Sequence, residues 1–199
     1  MKKLSTKTMV QLALMIGIVI VMGMTPLGFI RIPPVSITML HLPVIVGSVV
    51  MGPAFGAVLG FTFGCVSMWN AIVNPLPLPS ISWMLSPFAS GYPLQSFILC
   101  FAPRIILGIL PALLIKLFSR KKEAGRISIG ASAGLSAIVH TCTFLGLINM
   151  FPLEEVKMPL SAIIKTVISL NGSLEFVAAF VISTAICKPL IKYTKNAGK

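Results

Sequence analysis

Long apolar runs follow one another along almost the whole chain, and they limit its possible folds more than any other feature of the sequence. Apolar residues make up 56% of the 199 residues, only 10% are charged, and the mean hydropathy is +1.00. A soluble domain carries roughly 25% charged residues. The chain is therefore predicted to be an all-α, multi-pass protein of the cell membrane, with residues 1–199 forming a single domain.

Six of these runs are candidates for transmembrane helices. They comprise residues 9–24, 37–51, 53–72, 92–118, 127–151 and 162–187. As a helix, the second run would reach only about 22 Å, which is short for a bilayer. Four spans with a re-entrant pair therefore stay an alternative, although the break at Gly52-Pro53 favours a tight reversal between two crossing helices.

The basic residues predict how the chain is oriented in the membrane. The formal net charge is +12, and the chain contains 16 Lys and Arg but no Asp. Twelve of these basic residues fall on one side of a six-span arrangement: Lys2, Lys3, Lys7, Lys116, Arg120, Lys121, Lys122, Arg126, Lys188, Lys192, Lys195 and Lys199. That side, and with it both termini, is predicted to be cytoplasmic. Because these residues flank apolar runs, they indicate a lipid bilayer rather than nucleic acid as the partner.

The supply of reactive side chains argues against an enzyme. The chain has no Asp, two His, and four Cys that stand singly in apolar segments. These residues form no pattern of catalytic pairs or metal ligands, and the phosphate-binding Gly-x-x-x-x-Gly-Lys-Ser/Thr motif is absent from the sequence. The chain is predicted to have no catalytic activity, no metal site and no cofactor of its own.

Arg104 is the strongest candidate for a ligand-binding residue. It lies in the fourth run, about 18 Å from the outer end at helical rise, where reaching either membrane surface is difficult. An ionisable group in hydrocarbon costs at least about 2.5 kcal/mol, so it usually faces a cavity or a partner. Arg104 is expected to form an ion pair with Glu175 of the sixth run, to bind an anion in a ligand cavity, or to do both.

Other polar residues within the runs extend this candidate site. Asn171 and Glu175 are four residues apart, so they share one face of a helix and are predicted to point inward together. His140 lies in the outer half of the fifth run, where its imidazole could bind a ligand or, as a structural alternative, a carbonyl of a neighbouring helix.

Two residues at the end of the third run are less specific indicators of a ligand site. Trp69 and Asn70 are expected at the outer interface, where a tryptophan either anchors the protein in the aromatic belt or forms the wall of a pocket. His41 is interpreted as an outer-interface residue and not as a ligand-binding one.

One continuous stretch carries a family likeness. Residues 32–47 read IPPVSITMLHLPVIVG, and residues 51–60 read MGPAFGAVLG. The stretch resembles the substrate-binding S components of energy-coupling factor (ECF) vitamin transporters. Within that family the chain is most similar to the pantothenate-specific branch, followed by the hydroxymethylpyrimidine branch. The length, the six spans and the cytoplasmic termini agree with this resemblance over nearly the whole chain.

The resemblance implies a receptor that captures a vitamin and then docks on a transmembrane coupling subunit and two ATPase subunits, which use ATP. Family members commonly dock through an Ala-x-x-x-Ala face of the first helix. The matching positions here are Ala13 and Gly17, so the second small residue differs. Without the family, the two residues would be only a small-x-x-x-small packing pair.

The likeness to the pantothenate branch gives Arg104 a role as the partner of the carboxylate of pantothenate. Asn171 and His140 would bind its amide and hydroxyl groups, and Trp69 would form an apolar wall. Glu175 would either neutralise Arg104 or accept hydrogen bonds from the ligand hydroxyl groups. Hydroxymethylpyrimidine is uncharged and needs no such cation. A stand-alone secondary transporter is a further alternative, but the deep polar residues are few for an ion relay.

Six spans with cytoplasmic termini predict which positions an impermeant thiol reagent can reach. In a variant without native cysteines, single cysteines at Ser80 and Glu154 should be labelled from outside, because both positions lie in loops opposite the basic clusters. A cysteine at Lys122 should be labelled only after the membrane is opened. The reverse labelling pattern would contradict this topology.

Overall fold

The computed structural model describes residues 5–32, 35–73, 84–119, 125–150, 159–161, 164–165 and 170–196. This part of the chain forms six helices and one antiparallel hairpin. In chain order they are α1 (Thr6–Met24), β1 (Phe29–Ile32), β2 (Val35–Thr38), α2 (His41–Met51), α3 (Pro53–Val73), α4 (Pro93–Phe118), α5 (Arg126–Ile148) and α6 (Leu170–Asn196).

Five helices are long and apolar enough to cross a membrane: α1, α3, α4, α5 and the segment Gly172–Ile191 of α6. The prediction of a helical membrane protein is therefore confirmed. The second run differs, because α2 has only 11 residues and is about 16 Å long. A helix of that length does not cross a hydrocarbon core about 30 Å thick by itself. The cytoplasmic position of both termini stays a prediction.

An antiparallel hairpin, which the apolar runs did not predict, follows α1. Phe29 pairs with Thr38 and Ile32 with Val35 in an antiparallel register. The physical reason is that both strands are rich in β-branched residues, which favour extended backbone, and they flank the short Pro33-Pro34 segment. The second apolar run is accordingly shortened, since residues 35–38 belong to a strand and not to α2.

The reversal between α2 and α3 requires a glycine. Gly52 has a φ of 102°, in the region that side chains with a Cβ rarely adopt, and its N–H donates to the Ser48 carbonyl at 2.8 Å. Pro53 then begins α3, where its fixed φ is compatible with a first helical turn. The break predicted at Gly52-Pro53 is thus confirmed.

Small residues bring α3 and α4 into backbone contact. A methyl group added to Gly56 would overlap the carbonyl of Gly108, and one added to Gly108 would overlap the carbonyl of Gly56. About one turn further along α3, a methyl group on Gly60 would overlap the carbonyl of Arg104. Such close approach is how helices associate in lipid, and here it sets the depth of Arg104 in the bundle.

The segment before α4 is fixed to that helix by serine hydroxyl groups. Ser96 Oγ donates to the Met84 carbonyl at 2.7 Å and lies 2.8 Å from Ser90 Oγ. One turn later, the Cys100 thiol donates to the Leu85 carbonyl. Buried hydrogen bonds of this kind satisfy backbone groups that would otherwise be costly in an apolar surrounding.

Candidate functional site

Arg104 lies near the middle of α4 and is only 6% exposed. The residue before it is Pro103, which has no N–H and so leaves the carbonyl of Leu99 without its usual helical donor. Nη1 of Arg104 donates to this carbonyl at 2.5 Å. The side chain thus supplies the hydrogen bond that Pro103 cannot make, and this bond fixes the position of the guanidinium.

Aromatic rings flank the Arg104 guanidinium. Its Cζ lies 4.8 Å from the centroid of the Phe144 ring and 5.4 Å from that of Phe63. The faces of such rings attract a cation, and burial strengthens the attraction. The Nε atom is buried and has no hydrogen-bond partner in the described part of the chain. The cation is therefore held in place while one of its donor groups is left for another molecule.

Glu175 interacts with the hairpin. Its Oε1 accepts a hydrogen bond from the backbone N–H of Thr38 at 3.2 Å, and its carboxylate also bonds the Thr141 side chain. Among the described residues, no salt bridge joins Glu175 to Arg104. Of the two roles expected for Arg104, the geometry therefore favours the anion-binding one, and Glu175 serves to tie β2 to α6.

His140 shares its surroundings with Arg104. Its ring centroid lies 6.1 Å from that of Phe63 and 6.5 Å from that of Phe144, the same two rings that flank the guanidinium. The Nε2 atom is buried and bonds no group among the described residues. The structure places His140 close to Arg104.

His41 belongs to the same region, although its sequence position indicated the outer interface. It is 3% exposed, its ring lies close to the backbone of Thr38, and its Nε2 atom has no hydrogen-bond partner among the described residues. It also lies within electrostatic reach of His140. The interface interpretation overlooked the hairpin, which ends three residues before His41. The β-branched residues around Pro33-Pro34 were the signal for it.

The remaining candidates lie elsewhere. Trp69 is 55% exposed, as suits an interface anchor and not the wall of a buried pocket. Asn70 donates from Nδ2 to the Gly23 carbonyl at 2.6 Å and so ties α3 to α1. Asn171 is in the first turn of α6, one turn before Glu175, and its side chain lies outside the described part of the structure.

The site occupies the half of the bundle that carries the hairpin. It takes His41 from the start of α2, Arg104 from α4, His140 from the second half of α5 and Glu175 from the first half of α6. Within the described ranges, no three His, Cys, Asp or Glu side chains are grouped as metal ligands would be. A buried cation, imidazole side chains and aromatic rings together suit a small organic anion.

Comparison with known proteins identifies the family. The family model described as "ECF transporter, substrate-specific component" matches residues 7–194. The chain belongs to this family of S components. It is accordingly a subunit of a membrane transporter and not an enzyme, and membership implies a vitamin substrate and partners in an ECF module. The resemblance found in residues 32–60 is thus confirmed over nearly the full chain.

Two relatives resemble this S component along their whole length. The "Pantothenic acid transporter PanT" of Lactococcus lactis subsp. cremoris is 32% identical over 205 residues, covering 99% of this chain and 100% of the relative. The "Pantothenate transporter PanT" of Leuconostoc mesenteroides subsp. mesenteroides is 22% identical over 208 residues, covering 97% and 96% of the two chains.

Proposed function

We propose that this S component captures pantothenate from outside the cell and delivers it to an ECF module. The observation that carries the proposal is the buried Arg104 guanidinium, which among the described residues has no carboxylate partner and whose Nε is unbonded. A buried charge is costly unless it is paired, so the site favours a ligand that brings the negative charge with it. The names of the two relatives support pantothenate as that ligand.

The geometry of Arg104 suits a carboxylate. Its Nη1 already donates to the Leu99 carbonyl, which leaves the edge formed by Nε and Nη2 for the ligand. Two parallel N–H groups on one edge match the two oxygens of a carboxylate, and a Lys ammonium cannot reproduce that arrangement. An uncharged ligand such as hydroxymethylpyrimidine would leave the cation unpaired, so the site disfavours it.

The neutral groups of pantothenate require partners as well. We assign its amide and hydroxyl groups to His140 and Asn171. His140 precedes Thr141, which bonds Glu175, on α5, and Asn171 lies one turn before Glu175 on α6. The Phe63 and Phe144 rings, which contact both Arg104 and His140, take the role of apolar wall expected of Trp69. Glu175 acts indirectly, by holding the hairpin against α6.

Substitution of Arg104 tests this assignment. Arg104→Lys should weaken pantothenate binding by roughly 1.5 to 3 kcal/mol, the range for hydrogen bonds to charged groups, and Arg104→Ala should weaken it further. Lys116→Ala is the matched control, because it removes an exposed cation from the same helix and should leave binding unchanged. Isothermal titration of purified protein measures all three. Unchanged affinity in Arg104→Ala would refute the role of this residue.

Docking on the coupling subunit is assigned to one face of α1. Ala13 and Gly17 lie one turn apart and are exposed, and a methyl group added to Gly17 would meet no atom within 4 Å. Along the whole helix only Val19 and Gly23 are buried. A flat and uncovered strip lets the backbone of a partner helix approach closely. The two ATPase subunits of the module would then supply the energy, since this chain lacks a nucleotide-binding motif.

Added bulk on this strip should uncouple transport from binding. Ala13→Trp and Gly17→Trp are expected to abolish uptake of labelled pantothenate by cells, because the large ring separates α1 from the coupling subunit. Binding to the isolated S component should persist, since neither residue is near Arg104. Val181→Trp, on an exposed position of α6, is the control for bulk at a lipid-facing surface. Normal uptake by both α1 variants would contradict the docking role.

A further inference from the structure

Three buried side-chain nitrogen atoms have no hydrogen-bond partner in the part of the chain that the structure describes: Arg104 Nε, His140 Nε2 and His41 Nε2. The other buried polar atoms without a partner are serine hydroxyl oxygens. The three nitrogens belong to one region, since His140 shares its aromatic neighbours with Arg104 and is within electrostatic reach of both other residues. Buried groups without a partner cost free energy unless a ligand bonds them.

The His41 ring lies at the base of the hairpin. It is close to the backbone of Thr38, whose N–H donates to Glu175 on α6. Among the described residues, Nε2 of His41 has no hydrogen-bond partner, so it is available to a ligand.

The tautomer of His41 decides what kind of ligand group it can take. A neutral imidazole has one N–H, which we assign to the nitrogen beside the Thr38 carbonyl. Nε2 is then an acceptor with a lone pair. It would repel a carboxylate, but it can accept a hydrogen bond from a hydroxyl group. Burial of the ring favours the neutral form, because an unpaired imidazolium would be poorly solvated.

We infer that His41 determines specificity for the hydroxyl-bearing end of the ligand by accepting a hydrogen bond from one of its hydroxyl groups at Nε2. This inference rests on the proposed function, since it takes pantothenate as the ligand and Arg104 as the partner of its carboxylate. The two residues then bind opposite ends of one molecule. The Arg104 cation binds the carboxylate, and the acceptor nitrogen of His41 binds a hydroxyl group.

Two substitutions separate the two nitrogen atoms of His41. His41→Asn keeps a side-chain N–H for the Thr38 carbonyl but removes the acceptor at the Nε2 position, and it should weaken pantothenate binding by about tenfold. His41→Gln extends an amide to that position and should recover part of the loss. Ser48→Ala is the matched control: it removes another buried, unpartnered polar atom two turns along the same helix, and affinity should not change.

Ligand analogues make the test specific to a hydroxyl group. Isothermal titration is performed with pantothenate and with two deoxy analogues, each lacking one hydroxyl. The wild-type protein should bind one analogue about tenfold more weakly than pantothenate, and His41→Asn should bind that analogue and pantothenate alike. Thermal unfolding of each variant reports whether it is folded. The comparison of pantothenate with its deoxy analogues on the wild-type protein stays informative even if a variant does not fold.

The possible results distinguish this inference from the proposed function. If the wild-type protein binds pantothenate in an Arg104-dependent way but binds all three compounds equally, His41 is not the hydroxyl partner. If His41→Asn keeps the full preference of the wild type for pantothenate, the inference is likewise overturned. If the wild-type protein does not bind pantothenate, the proposed function fails first and the ligand assigned to His41 fails with it.

Discussion

A guanidinium buried in the middle of an apolar helix is the constraint on which the rest of the site depends. Arg104 is tolerated there because Pro103 leaves the Leu99 carbonyl without a helical donor, and Nη1 supplies that donor. The Phe63 and Phe144 rings add attraction for the cation. Neither contribution neutralises the charge, however. The protein thus holds a positioned cation, which the carboxylate of the proposed ligand would neutralise.

In the proposed function, ligand binding and docking use different parts of the fold. Glycines in α3 and α4 place the Arg104 backbone directly against α3, while Glu175 ties the hairpin to α6 across 137 residues of sequence. In contrast, α1 buries few residues and presents a strip of small side chains outward. Tight contacts thus concentrate around the proposed ligand site, and α1 leaves an uncovered face for the proposed partner helix.

Sequence reasoning predicted the helical framework and the principal cation because both depend on local information. An apolar run of about 20 residues identifies a membrane helix by composition alone, and an arginine inside one is conspicuous. The hairpin of residues 29–38 was missed, since strand pairing depends on contacts that a run of apolar residues does not reveal. His41 was misplaced as a consequence, because its burial follows from the end of β2. The partner of Glu175 could not be found either, since Thr38 is distant in sequence and bonds through its backbone.

The central claim is that the charge of Arg104 selects an anionic ligand, and it is tested most directly by changing the charge of the ligand. Isothermal titration compares pantothenate with the corresponding alcohol, in which the carboxylate is replaced by a hydroxymethyl group. The wild-type protein should prefer the acid by roughly ten- to a hundredfold, and Arg104→Ala should bind both compounds alike. Equal affinity of the wild-type protein for acid and alcohol would contradict the account.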